Sequence, residues 1–312
     1  MPHWLIKSAL QRAISLLPAS HFWNELFQRY VTRSLDLTPE RFEMRLDCCR
    51  IHLENFIELR PSRARDFTAC ELGTGWFPVV PAGLFLCGAS RIWTFDIAPF
   101  LSRQRLKQMF GMFEEYERLG KLQKFLPRLL PKRLERFNEI ARDVETSEPE
   151  KVPEQMEIYF EVRDAQNTGL KAGSIDLFVS TGVLEYIPRN ILGNILREFR
   201  RIGSANAVQS HYLNLIDQYS YFDRSITPFN FLKFSAERWK LYNSPIAWLN
   251  RMRISDYREL FGSVGYEITK EVNTSGSKQD LCKIRLAPEF QKYSEADLLV
   301  LTSWLAAKPV GT

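Results

Sequence analysis

The feature that most constrains this chain is an alternation that begins at Phe67. Apolar runs of strand length alternate with segments of helical period. FTACEL (67–72) is followed by PVVPAGLFLCG (78–88), and RIWTFD (91–96), IYFEVRD (158–164), SIDLFVS (174–180) and AVQSHYL (207–213) follow in turn. The amphipathic segments PRNILGNILREFRRI (188–202) and SDYRELFGSVG (255–265) read as helices. Strands that are nearly apolar throughout are buried on both faces, and parallel neighbours need long, usually helical, crossovers. The expected class is therefore α/β, with a mostly parallel sheet covered by helices on both faces. YEITKEV (266–272) and LCKIRLA (281–287) are expected to close it as a strand pair, making seven strands.

Residues 1–62 lack this alternation and read as a helical cap ahead of a domain spanning 63–312. Ile6, Leu10, Ala13 and Leu17 share one helical face, and Phe22, Trp23, Leu26, Phe27 and Tyr30 form a second stripe. In LTPERFEMRLDCCRIHLENF, Thr38 is placed to cap a third helix and Pro39 to occupy its first turn. Phe42, Leu46, Cys49, Leu53 and Phe56 then line one face. Two insertions interrupt the strands. Residues 102–156 are helical and basic, and residues 214–253 are rich in Tyr, Phe and Trp. Both are expected to overhang the strand ends as lids.

A chain of 312 residues with 45% hydrophobic content builds a sizeable core. Its net charge of +5 is spread along the chain and gives no clear nucleic-acid signal. Five cysteines without paired spacing are neither a disulfide framework nor a zinc motif, so no metal is expected and the compartment reads as reducing, hence cytoplasmic. Lys7 and Arg12 interrupt the apolar pattern of the N-terminus, which does not read as a signal peptide. The basic amphipathic helices keep peripheral contact with an anionic membrane surface open as an alternative.

The stretch ELGTGWFP (71–78) follows the first strand. Glycines at 73 and 75 permit a tight turn and close backbone approach, and the next helix offers free N–H groups. A dinucleotide loop wants a third glycine where this chain has Pro78, which disfavours a nicotinamide enzyme. Asp96 ends the second strand about twenty residues on, where a carboxylate can accept two ribose hydroxyls.

ELGTGWFP, TFDIA (94–98), RDAQN (163–167) and IDLFVSTGVLEYIP (175–188), in that order and each at a strand end, resemble the successive motifs of class I S-adenosylmethionine-dependent methyltransferases. The resemblance covers roughly 66–96 and 159–287. It implies a Rossmann-like, mostly parallel seven-stranded sheet with an antiparallel last strand, and S-adenosylmethionine as cofactor. Glu71 would orient the methionine amino group through the loop formed by Gly73, Thr74 and Gly75. Asp96, with Ile97 beside it, would bind the ribose. Asp164 would meet the adenine amino group, with Ala165 against the ring. Ser180, Thr181 and Gly182 would line the methionine and methyl end. STGVLEYIP lacks the NPPY or DPPY ending associated with adenine N6 methylation and is closer to the small-molecule branch. The implied activity is methyl transfer to a small or medium organic acceptor, at oxygen. A protein, RNA or lipid-linked acceptor, or a non-catalytic binding protein, is the alternative. The oligomeric state is open.

If the acceptor is a hydroxyl, a base must take its proton, and an imidazole has the suitable pKa. His211, expected at or near the carboxyl end of the fifth strand and facing the cleft, is the candidate base or acceptor-orienting residue, with a structural histidine in the strand as the alternative. Asp217 is the candidate to orient it or hold substrate. Phe229, Phe231, Phe234, Trp239, Tyr242 and Trp248 could wall an acceptor pocket, with Arg251 and Arg253 binding a carboxylate or phosphate; the alternative is that most of these aromatics pack the insertion on the sheet.

Overall fold

The computed structural model describes residues 3–16, 36–61, 65–245 and 248–311. Leu17 and the stripe from Phe22 to Tyr30 lie outside the described residues. Helix α1 spans His3–Ser15 and α2 spans Pro39–Leu59. Strands β1 (Phe67–Leu72) and β2 (Ala89–Asp96) flank α3 (Val79–Leu86). The first insertion holds α4 (Arg103–Arg118) and α5 (Pro131–Arg142). Then come β3 (Ile158–Val162), β4 (Ile175–Thr181), α6 (Arg189–Ile202), β5 (Gly203–Asn214), α7 (Ile254–Ser263), β6 (Tyr266–Ser275) and β7 (Val300–Pro309).

The seven strands form one sheet in the order β3-β2-β1-β4-β5-β7-β6. β1 to β5 are mutually parallel, and β7 runs antiparallel to both its neighbours. This is the Rossmann-like architecture that the sequence motifs imply. The chain steps outward from β1 to β2 and β3, then returns to β4 beside β1. The carboxyl ends of β1 and β4 thus flank a switch in winding direction, where open α/β sheets bind ligands.

The closing strand is not the one expected. Residues 281–287 form no strand, and β7 lies at 300–309. The reason is position. A strand between β5 and β6 is buried on both faces, and Leu305, Ala306 and Ala307 are 1% exposed or less. LCKIRLA would place Lys283 and Arg285 there, at a heavy desolvation cost. Instead Ser277 caps a single helical turn, Lys278–Cys282, and Leu281 and Ala287 dock elsewhere.

On one face of the sheet, α2, α3, α4 and α5 share a continuous apolar core with β1 and β4. Thr38 Oγ1 accepts from Arg41 N and Pro39 opens α2, as the sequence suggests. Phe42, Leu46, Cys49, Leu53 and Phe56 are all buried. Burying each large apolar side chain contributes about 1.5–3 kcal/mol, against about 1 for the cap, so packing dominates the placement of α2. Its C-terminus is pinned at the amino ends of the strands, where Arg60 bonds Asp176 of β4 at 2.8 Å. The first insertion turns Leu106, Met109, Phe110, Phe113, Phe137 and Ile140 into this same core. On the other face, α6 and α7 cover Cys70, Phe178 and Ala207.

The second insertion forms a third core. Phe229, Phe231, Phe234 and Trp239 are buried and pack around Trp4 of α1, whose ring lies 5.8 Å from Phe234 and 5.1 Å from Tyr242. These aromatics fasten α1 to the insertion and do not wall a pocket. Among the described residues, no helix is long and apolar enough to cross a membrane.

Candidate functional site

The strand ends at the winding switch are tied together by the backbone. Gly73 N donates to Phe95 O, Arg163 N to Asp96 O and Gly182 N to Tyr212 O, at 2.8, 3.2 and 2.9 Å. These bonds bring the segments after β1, β2, β3 and β4 to one edge of the sheet. Gly73 has φ +74, and a Cβ there would stand 2.6 Å from the Val183 side chain. A side chain at 73 would therefore push the β1 and β4 loops apart. Gly75 also has positive φ, +67, but no atom lies within 4 Å of where its Cβ would be. One glycine closes the loop onto its neighbour, and the next leaves open space.

Asp96 lies against the backbone of that turn and is half-buried. Its Oδ2 accepts from Gly75 N at 2.9 Å and its Oδ1 from Ile97 N at 2.8 Å. Burial raises its carboxyl above the usual range, opposed by the N–H groups of Gly75, Ile97 and Ala98. Each oxygen keeps a second lone pair for a ligand hydroxyl. Ile97 is 79% exposed, so only its backbone takes part. Glu71 is buried beneath the loop. Thr74 Oγ1 donates to Glu71 Oε2 at 2.6 Å. Burial pushes the Glu71 carboxyl up to about 7, with Thr74 and Arg45 of α2 pulling the other way. Trp76 packs against Phe100, with ring centroids 4.3 Å apart and the planes tilted by 48°, and Arg105 lies over its ring at 4.2 Å, joining the glycine loop to the start of α4.

Asp164 is exposed and accepts from Gln166 N and Nε2 at 2.9 and 2.8 Å. Ala165 is buried beside it. Ser180, Thr181 and Gly182 end β4 next to the glycine loop. The β4–β5 register places Ser180 beside His211 and Thr181 beside Tyr212. Alternation sends these two pairs to opposite faces.

His211 does not face the cleft. It is fully buried against Phe261. Its Nδ1 bonds Ser180 Oγ and its Nε2 bonds Gln209 Oε1, both at 2.8 Å. Gln209 Nε2 donates in turn to Tyr266 Oη. Burial lowers the imidazole to about 3. Both nitrogens are engaged, so this side chain links β4, β5 and β6 and has none free for a substrate. Asp217 is also fully buried, and caps a turn: it accepts from Tyr219 N at 2.9 Å and Asn230 Nδ2 at 3.0 Å, with no bond to His211. Burial pushes it up to about 6. Arg253 is fully buried, with Nη1 and Nη2 on the carbonyls of Leu215, Leu298 and Val300 and Nε unpartnered, and Arg251 bonds those of Phe231 and Phe234, so both forks are turned onto the backbone. Among the described residues, no acidic, His or Cys cluster could hold a metal.

Two residues at the strand ends escaped sequence reasoning. Glu185, one turn beyond β4, is 3% exposed, and neither carboxylate oxygen has a hydrogen-bond partner. Its Oε1 lies 3.5 Å from the place a Gly182 Cβ would take. Burial pushes it up to about 8; N–H groups of Glu185 and Asn214 lower it somewhat without a bond of normal geometry. The other is His52 of α2. Its Nε2 lies 3.2 Å from Thr181 Oγ1, and its Nδ1 lies 2.9 Å from Ser210 Oγ. The available signal was a histidine set three residues after Cys49 and four before Phe56, inside the apolar stripe of the helix.

No family model matches the chain, and no curated protein sequence matches it. Solved structures do. The chain is similar to a candidate sarcosine dimethylglycine methyltransferase from Galdieria sulphuraria at 15% identity and TM-score 0.44, over 84% of this chain and 85% of that one. It is similar to a geranyl diphosphate C-methyltransferase from Streptomyces coelicolor, solved with Mg2+, geranyl diphosphate and S-adenosyl-L-homocysteine, at 9% identity and TM-score 0.46, over 83% and 79%. It is also similar to the cyclase SpnF at 11% identity and TM-score 0.44, over 84% and 81%.

Proposed function

We propose that this protein transfers a methyl group from S-adenosylmethionine to a small or medium organic acceptor. The reading is carried by the Gly75 turn and the Asp96 carboxylate, which meet at the winding switch with open space above the glycine. The residues present suit the cofactor. Asp96 offers two lone pairs to the ribose hydroxyls, the Gly75 backbone can be approached closely, and Ala165 presents a small apolar surface to the adenine. When bound, the cofactor supplies an electrophilic methyl on a sulfonium centre. The chain's own contribution is to hold acceptor and methyl in line, and positioning of this kind supplies much of the rate.

The acceptor atom we propose is oxygen, which must lose a proton. His211 has no free nitrogen for it. Glu185, buried and unpaired near Gly182, would take it in its ionised form, which burial makes more basic than an ordinary carboxylate. Five free cysteines fit a reducing, cytoplasmic setting.

Calorimetric titration with S-adenosylhomocysteine, and with NADH in parallel, tests the reading. Micromolar binding of the first alone, lost in Asp96→Ala, supports it. Binding of NADH alone, or wild-type affinity in Asp96→Ala, overturns it.

A further inference from the structure

Four polar side chains connect α2 to the end of β4. Asn55 Nδ2 donates to Ser210 Oγ at 3.0 Å, Ser210 Oγ meets His52 Nδ1 at 2.9 Å, and His52 Nε2 meets Thr181 Oγ1 at 3.2 Å. Asn55, His52 and Ser210 are all 1% exposed or less, whereas Thr181 is only half-buried. Water therefore reaches one end of the chain only.

Asn55 Nδ2 donates to Ser210 Oγ, while Asn55 Oδ1 has no partner. Ser210 Oγ can then give its own proton to His52 Nδ1 or accept a second one from it, according to the tautomer of the ring. Burial, with His211 nearby, lowers His52 to about 3, so the ring is neutral and carries a single proton. With Nδ1 accepting, that proton sits on Nε2 and is donated to Thr181 Oγ1. Thr181 then keeps its own proton for a partner other than His52. Trp304 packs edge-on to His52 at 5.1 Å and holds the ring in place.

We propose that the Thr181 hydroxyl donates a hydrogen bond to the carboxylate at the amino-acid end of the cofactor, and that His52 is the positioning residue that fixes it as a donor. This rests on the cofactor reading above. The resemblance to class I methyltransferases would put the ribose at Asp96 on β2 and the amino-acid end of the cofactor at the end of β4, on the opposite side of β1, where Thr181 stands. That end carries an ammonium, which a committed donor repels, and a carboxylate, which it suits. Arg45, seven residues before His52 and so on the same side of α2, acts on Glu71 at the neighbouring strand end and adds positive charge there. Helix α2 thus completes the site as well as covering it.

The experiment compares S-adenosylhomocysteine with methylthioadenosine, which lacks the amino-acid end. A hydrogen bond to a charged group contributes about tenfold or more in affinity. Thr181→Val should weaken S-adenosylhomocysteine by about that factor and leave methylthioadenosine unchanged, while Thr181→Ser, which keeps the hydroxyl, should bind both normally. His52→Leu should weaken S-adenosylhomocysteine selectively. His52→Gln, whose amide nitrogen can stand where Nε2 stands, should restore it. Nitrogen NMR of the wild-type ring should show the proton of His52 on Nε2, and this readout needs no variant to fold. A proton on Nδ1, equal losses for both ligands, or no loss in Thr181→Val would overturn the inference. A wild-type protein that binds neither ligand would overturn the cofactor reading, and this inference with it.

Discussion

Replacing Glu185 with glutamine should stabilise the protein, and more so as the pH rises. The side chain is 3% exposed with no hydrogen-bond partner, and burial moves its carboxyl from 4.5 to about 8. A group whose folded pKa is raised binds more protons folded than unfolded, so its contribution favours folding at low pH. That contribution is complete below about 4.5, declines as pH rises, and is gone above about 8. Each unit is worth about 1.4 kcal/mol, so the whole shift amounts to about 5 kcal/mol at the alkaline limit. Glu185→Gln keeps the shape and removes the titration. Other buried groups that titrate, Glu71 among them, cancel when variant and wild type are compared at the same pH. Urea unfolding followed by tryptophan fluorescence at pH 5, 7 and 9 measures the difference. The variant should match wild type at pH 5 and exceed it by about 2 kcal/mol or more at pH 9. A difference that does not change with pH would refute the reasoning. So would greater stability of the wild type at pH 9, which would mean the ionised carboxylate is held by partners. If Glu185 also takes the acceptor's proton, the glutamine variant should lose turnover while keeping S-adenosylhomocysteine affinity.

Other outcomes follow from the same geometry. His211→Phe leaves Ser180 Oγ and Gln209 Oε1 without partners in the core and should cost about 2–5 kcal/mol in chemical denaturation. His211→Gln should keep cofactor affinity within about twofold, since the ring touches no open space; a large loss of S-adenosylhomocysteine binding would put the histidine back in the site. Gly73→Ala drives a Cβ into Val183 and strains a positive φ, so it should lower the melting temperature and abolish ligand binding. Gly75→Ala meets open space and should fold with a smaller penalty, of order 1 kcal/mol, while still weakening the ligand. A Gly75→Ala protein less stable than Gly73→Ala would contradict this account of the two glycines. Trp4→Ala should release α1 from the aromatic insertion and raise its susceptibility to proteolysis, with the sheet still folded by circular dichroism.

Much of this molecule is written in local patterns. The strand and helix periods from Phe67 onward dictated a layered α/β sheet, and the spacing of Phe42, Leu46, Cys49, Leu53 and Phe56 dictated the buried face of α2. The glycine turn and Asp96 were legible because each sits at the end of an apolar run, and strand ends in a parallel sheet converge on one edge. What the sequence left open depends on partners distant along the chain. LCKIRLA and VLTSWLAAKP both alternate passably. Only the place between β5 and β6, buried on both faces, selects the segment without charges at its centre. His211 and His52 are equally plain as letters. Strand register turns His211 toward Phe261 and binds both its nitrogens, while the packing of α2 carries His52 across 129 residues of sequence to Thr181. The aromatics of 214–253 suit either a pocket wall or plain packing, and Trp4, arriving from α1 among Phe229, Phe231, Phe234 and Trp239, decides for packing. Periodicity and turn chemistry act over a few residues and can be read directly. Burial and hydrogen-bond direction are set by whichever surface arrives opposite, and only the folded chain decides that.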